Sequence, residues 1–98
     1  MPTRPPAPPT DDLERLLREG RFEAALSRSE SGVRAAPNDP AAWARLAQSL
    51  SAARRLEPAL AAWDRALSFA PGAPDLLCGK GGVLQALGRG EQAAALYR

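Results

Sequence analysis

The sequence has no His, one Cys and one Met. Without His there is no Ser-His-Asp or Cys-His nucleophile system and no His-ligated metal site. A lone Cys78 makes neither an internal disulfide nor a thiolate cluster. Aromatics are scarce, at two Trp, two Phe and one Tyr, and there is little Val, Ile or Thr to build a β-fold. No apolar run approaches the ~20 residues that span a bilayer. The opening MPTRPPAPPT has no hydrophobic stretch and is not a signal peptide. Charge is nearly balanced, with 13 Lys+Arg against 11 Asp+Glu, which is weak for a nucleic-acid binder. These absences point to a non-catalytic, cytoplasmic protein with no cofactor, no metal, and neither nucleic acid nor membrane as partner.

What is present is the vocabulary of helices, namely Ala, Leu, Arg and Glu. At 98 residues the chain is one small domain with a thin core. Residues 1–10 hold five of the ten prolines and read as an extended, disordered tail or linker, or else as a ligand for a Pro-recognising domain. The Ala/Arg/Pro bias, with a single Lys, suggests a GC-rich bacterial source.

From Asp11 the pattern is helical, and it repeats. Shifted by 34 residues, the chain aligns with itself twice. Five columns are identical three ways: Pro6/Pro40/Pro74, Leu16/Leu50/Leu84, Arg21/Arg55/Arg89, Glu23/Glu57/Glu91 and Ala25/Ala59/Ala93. The repeats run roughly 11–39, 40–73 and 74–98, the last cut short, and each reads as two helices. In the middle repeat Asp39 is a plausible N-cap and Pro40 takes the first helical position. Trp43, Leu46, Ala47 and Leu50 recur at helical spacing and form one helix face, and the helix ends near Ala53. Pro58 is tolerable in the first turn of the second helix, which carries Ala59, Leu60, Trp63, Ala66 and Leu67. The third repeat continues with Leu77, Gly81, Leu84 and Leu87, a Gly88 C-cap, then Ala93, Leu96 and Tyr97. The first has a shortened opening helix, because Pro8 and Pro9 block it until Asp11, and it turns at Gly20.

The period and the pattern Trp43, Leu46, Ala47, Leu50, Ala59, Trp63, Ala66 and Pro71 resemble a tetratricopeptide repeat. The third repeat departs from that pattern at Lys80, where a Leu is usual. The first departs at Ser29 and Gly32, where an aromatic and an Ala are usual. The resemblance implies an all-α fold, an α-α superhelix of about two and a half helix-turn-helix repeats. It also implies a protein–protein interaction module that takes a peptide or helix in a concave groove lined by the first helix of each pair. Both tryptophans are expected in the core. If Trp43, Leu46 and Leu50 pack inward, the groove face carries Glu14 and Arg18, then Ala41, Ala44, Gln48 and Ser51, then Asp75, Cys78, Gly82 and Gln85.

Family members that clamp the acidic tails of chaperones use a Lys/Asn/Arg set. Here Thr10, Glu14, Arg45, Asp75 and Gly79 stand at those places, which argues against that ligand. Gly79, Gly81 and Gly82 around Lys80 fall within a predicted helix and so do not form a phosphate-binding loop. Arg54 and Arg55, with Arg15, Arg18 and Arg21, read as a solvated, Glu-balanced surface. Two other readings remain: homodimerisation through the last helix, and the regulatory N-terminal part of a longer enzyme such as a transferase.

Overall fold

A computed structural model describes residues 9–96, leaving the side chains of 9–12, 94 and 96 outside the description. Six helices follow one another: α1 (Pro9–Arg18), α2 (Phe22–Ala35), α3 (Pro40–Ala52), α4 (Leu56–Phe69), α5 (Pro74–Ala86) and α6 (Gly90–Leu96). The described residues contain no strand. Residues 1–8 of the expected 1–10 tail, the side chain of the expected cap Asp11 and the expected apolar face of Leu96 and Tyr97 lie outside the description, while Pro9 and Thr10 of that tail belong to α1.

The first helix starts at Pro9, two residues before the expected Asp11. A proline opens a helix without loss, because the first N–H groups have no intrahelical acceptor. Pro40 and Pro74 open α3 and α5 in the same way. Asp39 caps α3 by accepting from the Ala41 N–H at 3.0 Å.

Four of the five identical columns serve the turns and the joints between repeats. Gly20, Arg54 and Gly88, at one repeat position, turn left-handed with φ of 73°, 63° and 79°. The next residue in each case, Arg21, Arg55 or Arg89, donates its N–H back to the carbonyl of Leu16, Leu50 or Leu84, at 2.9, 2.8 and 2.7 Å. This closes the helix end with the six-residue bond of a Schellman motif. The second and third of these arginines also reach across a repeat boundary. Arg55 pairs with Glu23 at 3.2 Å and Arg89 with Glu57 at 2.8 Å. Ala25, Ala59 and Ala93 are wholly buried where repeats touch.

Packing is densest between α3 and α4, and next densest between α2 and α3. The first helices also touch one another, α1 with α3 and α3 with α5, whereas α2 and α4 do not. The stack therefore curves with α1, α3 and α5 on its inner side. Since α3 meets neighbours on several sides, it buries more than one stripe. Ala42, Ala47 and Ser49 are its buried residues, and the expected inward set of Trp43, Leu46 and Leu50 is half-buried against the core. Trp43 also keeps a polar edge, its Nε1 donating to the Pro37 carbonyl at 2.7 Å. The guanidinium of Arg65 lies 5.7 Å from its ring centroid and 5.5 Å from that of Phe69. One period after Ala42 and Ser49, Leu76 and Val83 are buried in α5.

Candidate functional site

The inner surface between α3 and α5 is hollow where the small residues Ala41, Ala44, Ser51, Gly79 and Gly82 face it. Two concavities lie there. One, of about 430 Å³, is lined by Gln48, Ser51, Arg54, Asp75, Cys78, Gly79 and Gly82, with Leu56, Trp63, Val83 and Ala86. The other, of about 320 Å³, is lined by Glu14, Ala41, Ala44, Arg45, Gln48, Asp75 and Leu76, again with Trp63. Gln48, Trp63 and Asp75 belong to both, so the two form one groove running over Trp63.

Of the residues read from the sequence as facing the groove, Glu14, Ala41, Ala44, Gln48, Ser51, Asp75, Cys78 and Gly82 line it. Arg18 and Gln85 are exposed and line neither concavity. The sequence reading assigned Trp63 to the core only. It is 95% buried, at 5% relative exposure, yet it comes up from α4 between α3 and α5 and forms the groove floor. The matching signal in the sequence is Gly79. A Cβ at Gly79 would overlap Cε2, Cζ2 and Cη2 of the Trp63 ring, so the indole takes the space that a side chain would fill. Arg54 was read as surface and also lines the groove.

Among the described residues, two buried side-chain atoms have no hydrogen-bond partner, Trp63 Nε1 and Ser51 Oγ. Leaving a buried donor unpaired costs ~1–3 kcal/mol. Nε1 is bonded to Cε2, on the ring edge that abuts Gly79 in the groove wall.

Lys80, which replaces a usual Leu, is half-buried and pairs with Asp64 of α4 at 2.6 Å. Gly79, Gly81 and Gly82 lie within α5, as helix residues and not as a phosphate loop. Among the described residues, no group of three His, Cys, Asp or Glu could hold a metal ion. None of the described helices is long and apolar enough to cross a membrane.

The tetratricopeptide repeat family profile matches residues 16–77, more than half of the chain. The chain belongs to the tetratricopeptide repeat family. No curated protein matches significantly by sequence. Among solved structures, the fold is similar to "MamA 41-end from Desulfovibrio magneticus RS-1", with TM-score 0.82 and 22% identity over 91% of this chain. It is also similar to MamA of AMB-1, with TM-score 0.75 and 18% identity over 87% of this chain. At such identities the likeness shows the fold. The chain spans about half the length of these MamA chains, 50% in each case. Family and fold together support a protein–protein interaction module.

Proposed function

We propose that this module is non-catalytic and holds a peptide or helix of a partner protein in the groove between α3 and α5. The observation that carries this reading is the Trp63 floor, over which two concavities with Ala41, Ala44, Gly79 and Gly82 in their walls meet. A peptide has a narrow profile that fits between Ala44 and Gly82 and backbone groups for the polar side chains of the wall. Gln48 adds an amide that both donates and accepts. The Ala/Arg/Pro bias fits a bacterial source.

The test uses a displayed library of random peptides. Peptides selected on the chain should lose binding to Gln48→Arg and to Ala44→Glu, with helicity by circular dichroism unchanged. Selected peptides that bind both variants as well as the parent would remove the groove from consideration.

A further inference from the structure

We propose that Arg54 sets the specificity of the groove, and that the ligand is a peptide of mixed charge. An acidic side chain of the peptide meets Arg54, and a basic side chain about five residues away meets Asp75. The proposal rests on the reading of the groove as a peptide site and adds the chemistry of the peptide. Three observations converge.

The first is backbone strain at one turn. Among the described residues Arg54 is the one non-glycine with positive φ, at 63°. The equivalent turns one repeat before and one repeat after are made by Gly20 and Gly88. Glycine takes that conformation without steric penalty, and a residue with a Cβ does not. The turn itself therefore gains nothing from an arginine. Of the three turn residues, Arg54 lines the groove, and Gly20 and Gly88 do not. Strain kept where the strained residue lines a cleft is the pattern of a binding residue.

The second is the state of the charges. Away from the groove, ion pairs are made by Arg21 with Glu19, Arg34 with Glu30 and Lys80 with Asp64, besides the two that cross repeat boundaries. The charged residues that line the groove are Glu14, Arg45, Arg54 and Asp75. Among the described residues, none of these four has an ion pair or a side-chain hydrogen bond. Arg54 and Asp75 are both exposed, so each is open to a charge brought by a ligand. Neighbouring Arg55, by contrast, is engaged with Glu23 at 3.2 Å.

The third is spacing. Asp75 lies in the first turn of α5, and Arg54 follows the last turn of α3. In the 34-residue register Asp75 is level with Ala41 and Arg54 with Gly88, so the two mark opposite ends of the larger concavity. Along its α5 wall, the helix from Asp75 to Ala86 rises about 16 Å. About five residues of extended peptide cover the same length. At the Asp75 end, Glu14 and Asp75 outweigh Arg45, which leaves that end net negative and the Arg54 end positive. Such a gradient favours a peptide of the opposite polarity and fixes the direction in which it lies.

The experiment selects displayed random peptides on the whole chain and, in parallel, on Arg54→Glu. Peptides from the parent should carry Asp or Glu with Lys or Arg about five residues away. On Arg54→Glu, the acidic position should change to Lys or Arg while the other basic position stays. A synthetic peptide from the parent pool should bind about fivefold more weakly to Arg54→Gly, and more than about tenfold more weakly to Arg54→Glu. The melting temperature of Arg54→Gly should not fall, since glycine relieves the turn. A loss of melting temperature together with binding in Arg54→Gly would make the role structural and overturn the proposal. Pools without the charge pattern would also overturn it. So would peptides that lose binding to Gln48→Arg yet bind Arg54→Glu as well as the parent, and there the groove reading would stand. Peptides indifferent to Gln48→Arg and Ala44→Glu would remove the groove, and this proposal with it.

Discussion

The two joints between successive repeats share one register and are filled in opposite ways. At the α2–α3 joint the paired positions are Ser29 and Arg45. One period of 34 residues later, at the α4–α5 joint, they are Trp63 and Gly79. The hydroxyls of Ser29 and Ser49 lie 2.7 Å apart, with the Ala25 carbonyl beside Ser29 and the Arg45 carbonyl beside Ser49; two protons serve the three contacts, so one serine donates to the other and the second to its carbonyl. The residues one period on, Trp63 and Val83, are members of one apolar cluster. A small residue opposite a long one becomes a large residue opposite none. The exchange keeps the joint filled, since interiors tolerate neither voids nor overlap. It also moves an indole up to the inner surface, and the groove with an aromatic floor lies at the second joint.

The largest way to break this contrast is Trp63→Ala. Removing the buried indole should cost ~3–5 kcal/mol. Against a total stability of ~5–15 kcal/mol, that loss is visible in urea denaturation as a large fall in the midpoint. Ser29→Ala at the equivalent position should cost only ~1 kcal/mol. Equal losses at the two positions would mean that the joints are not filled differently in energetic terms.

A second pair of variants separates space from helix propensity. On propensity alone, Ala in place of Gly in a helix gains up to ~1 kcal/mol. At Gly82 a Cβ would meet nothing within 4 Å, so Gly82→Ala should raise the melting temperature. At Gly79 the Cβ would overlap the Trp63 ring, and Gly79→Ala should lower it, by an overpacking cost of ~1–3 kcal/mol. A rise at both positions would show that the indole can give way.

The hydroxyl pair should yield less. Ser49→Ala leaves Ser29 its bond to the Ala25 carbonyl, so the expected loss is about 1 kcal/mol. Ser29→Ala combined with Ser49→Ala should cost less than the two single losses added together, because the second change removes a group that has already lost its partner. Full additivity in that double-mutant cycle would mean that the 2.7 Å contact contributes nothing.

What could be read from the sequence follows from the kind of information each feature uses. The period, the helix pairs, the Asp39 cap and the turns at Gly20 and Gly88 depend on particular residues at fixed spacing, and spacing is what a sequence displays. The burial of Ala42 and Ser49 depends on α3 meeting several neighbours at once. Small and polar residues do not announce such a second stripe. Trp63 was legible as core by its column. That it also floors the groove follows from its pairing with Gly79, sixteen residues away on another helix, which no single-helix pattern contains. Arg18 falls on the inner face by helical phase alone, but neither concavity extends to it. Lys80 departs from the family pattern, and its partner Asp64 lies sixteen residues away on another helix, where no single-helix pattern displays it.

The smallest expected effect concerns the turn that links the two joints. Gly20 and Gly88 adopt positive φ without strain, and Arg54 does the same work at φ 63° with a Cβ. A left-handed conformation costs a non-glycine residue ~1–2 kcal/mol. Glycine avoids that cost but loses more backbone entropy on folding, by ~0.5–1 kcal/mol. The balance favours Arg54→Gly by about 0.5 kcal/mol, a rise of roughly 2–4 °C in melting temperature for a domain of this size. Arg54→Ala keeps the strain and should show no rise. A fall for Arg54→Gly would mean that the guanidinium at the groove wall contributes more to the middle repeat than its backbone strain removes.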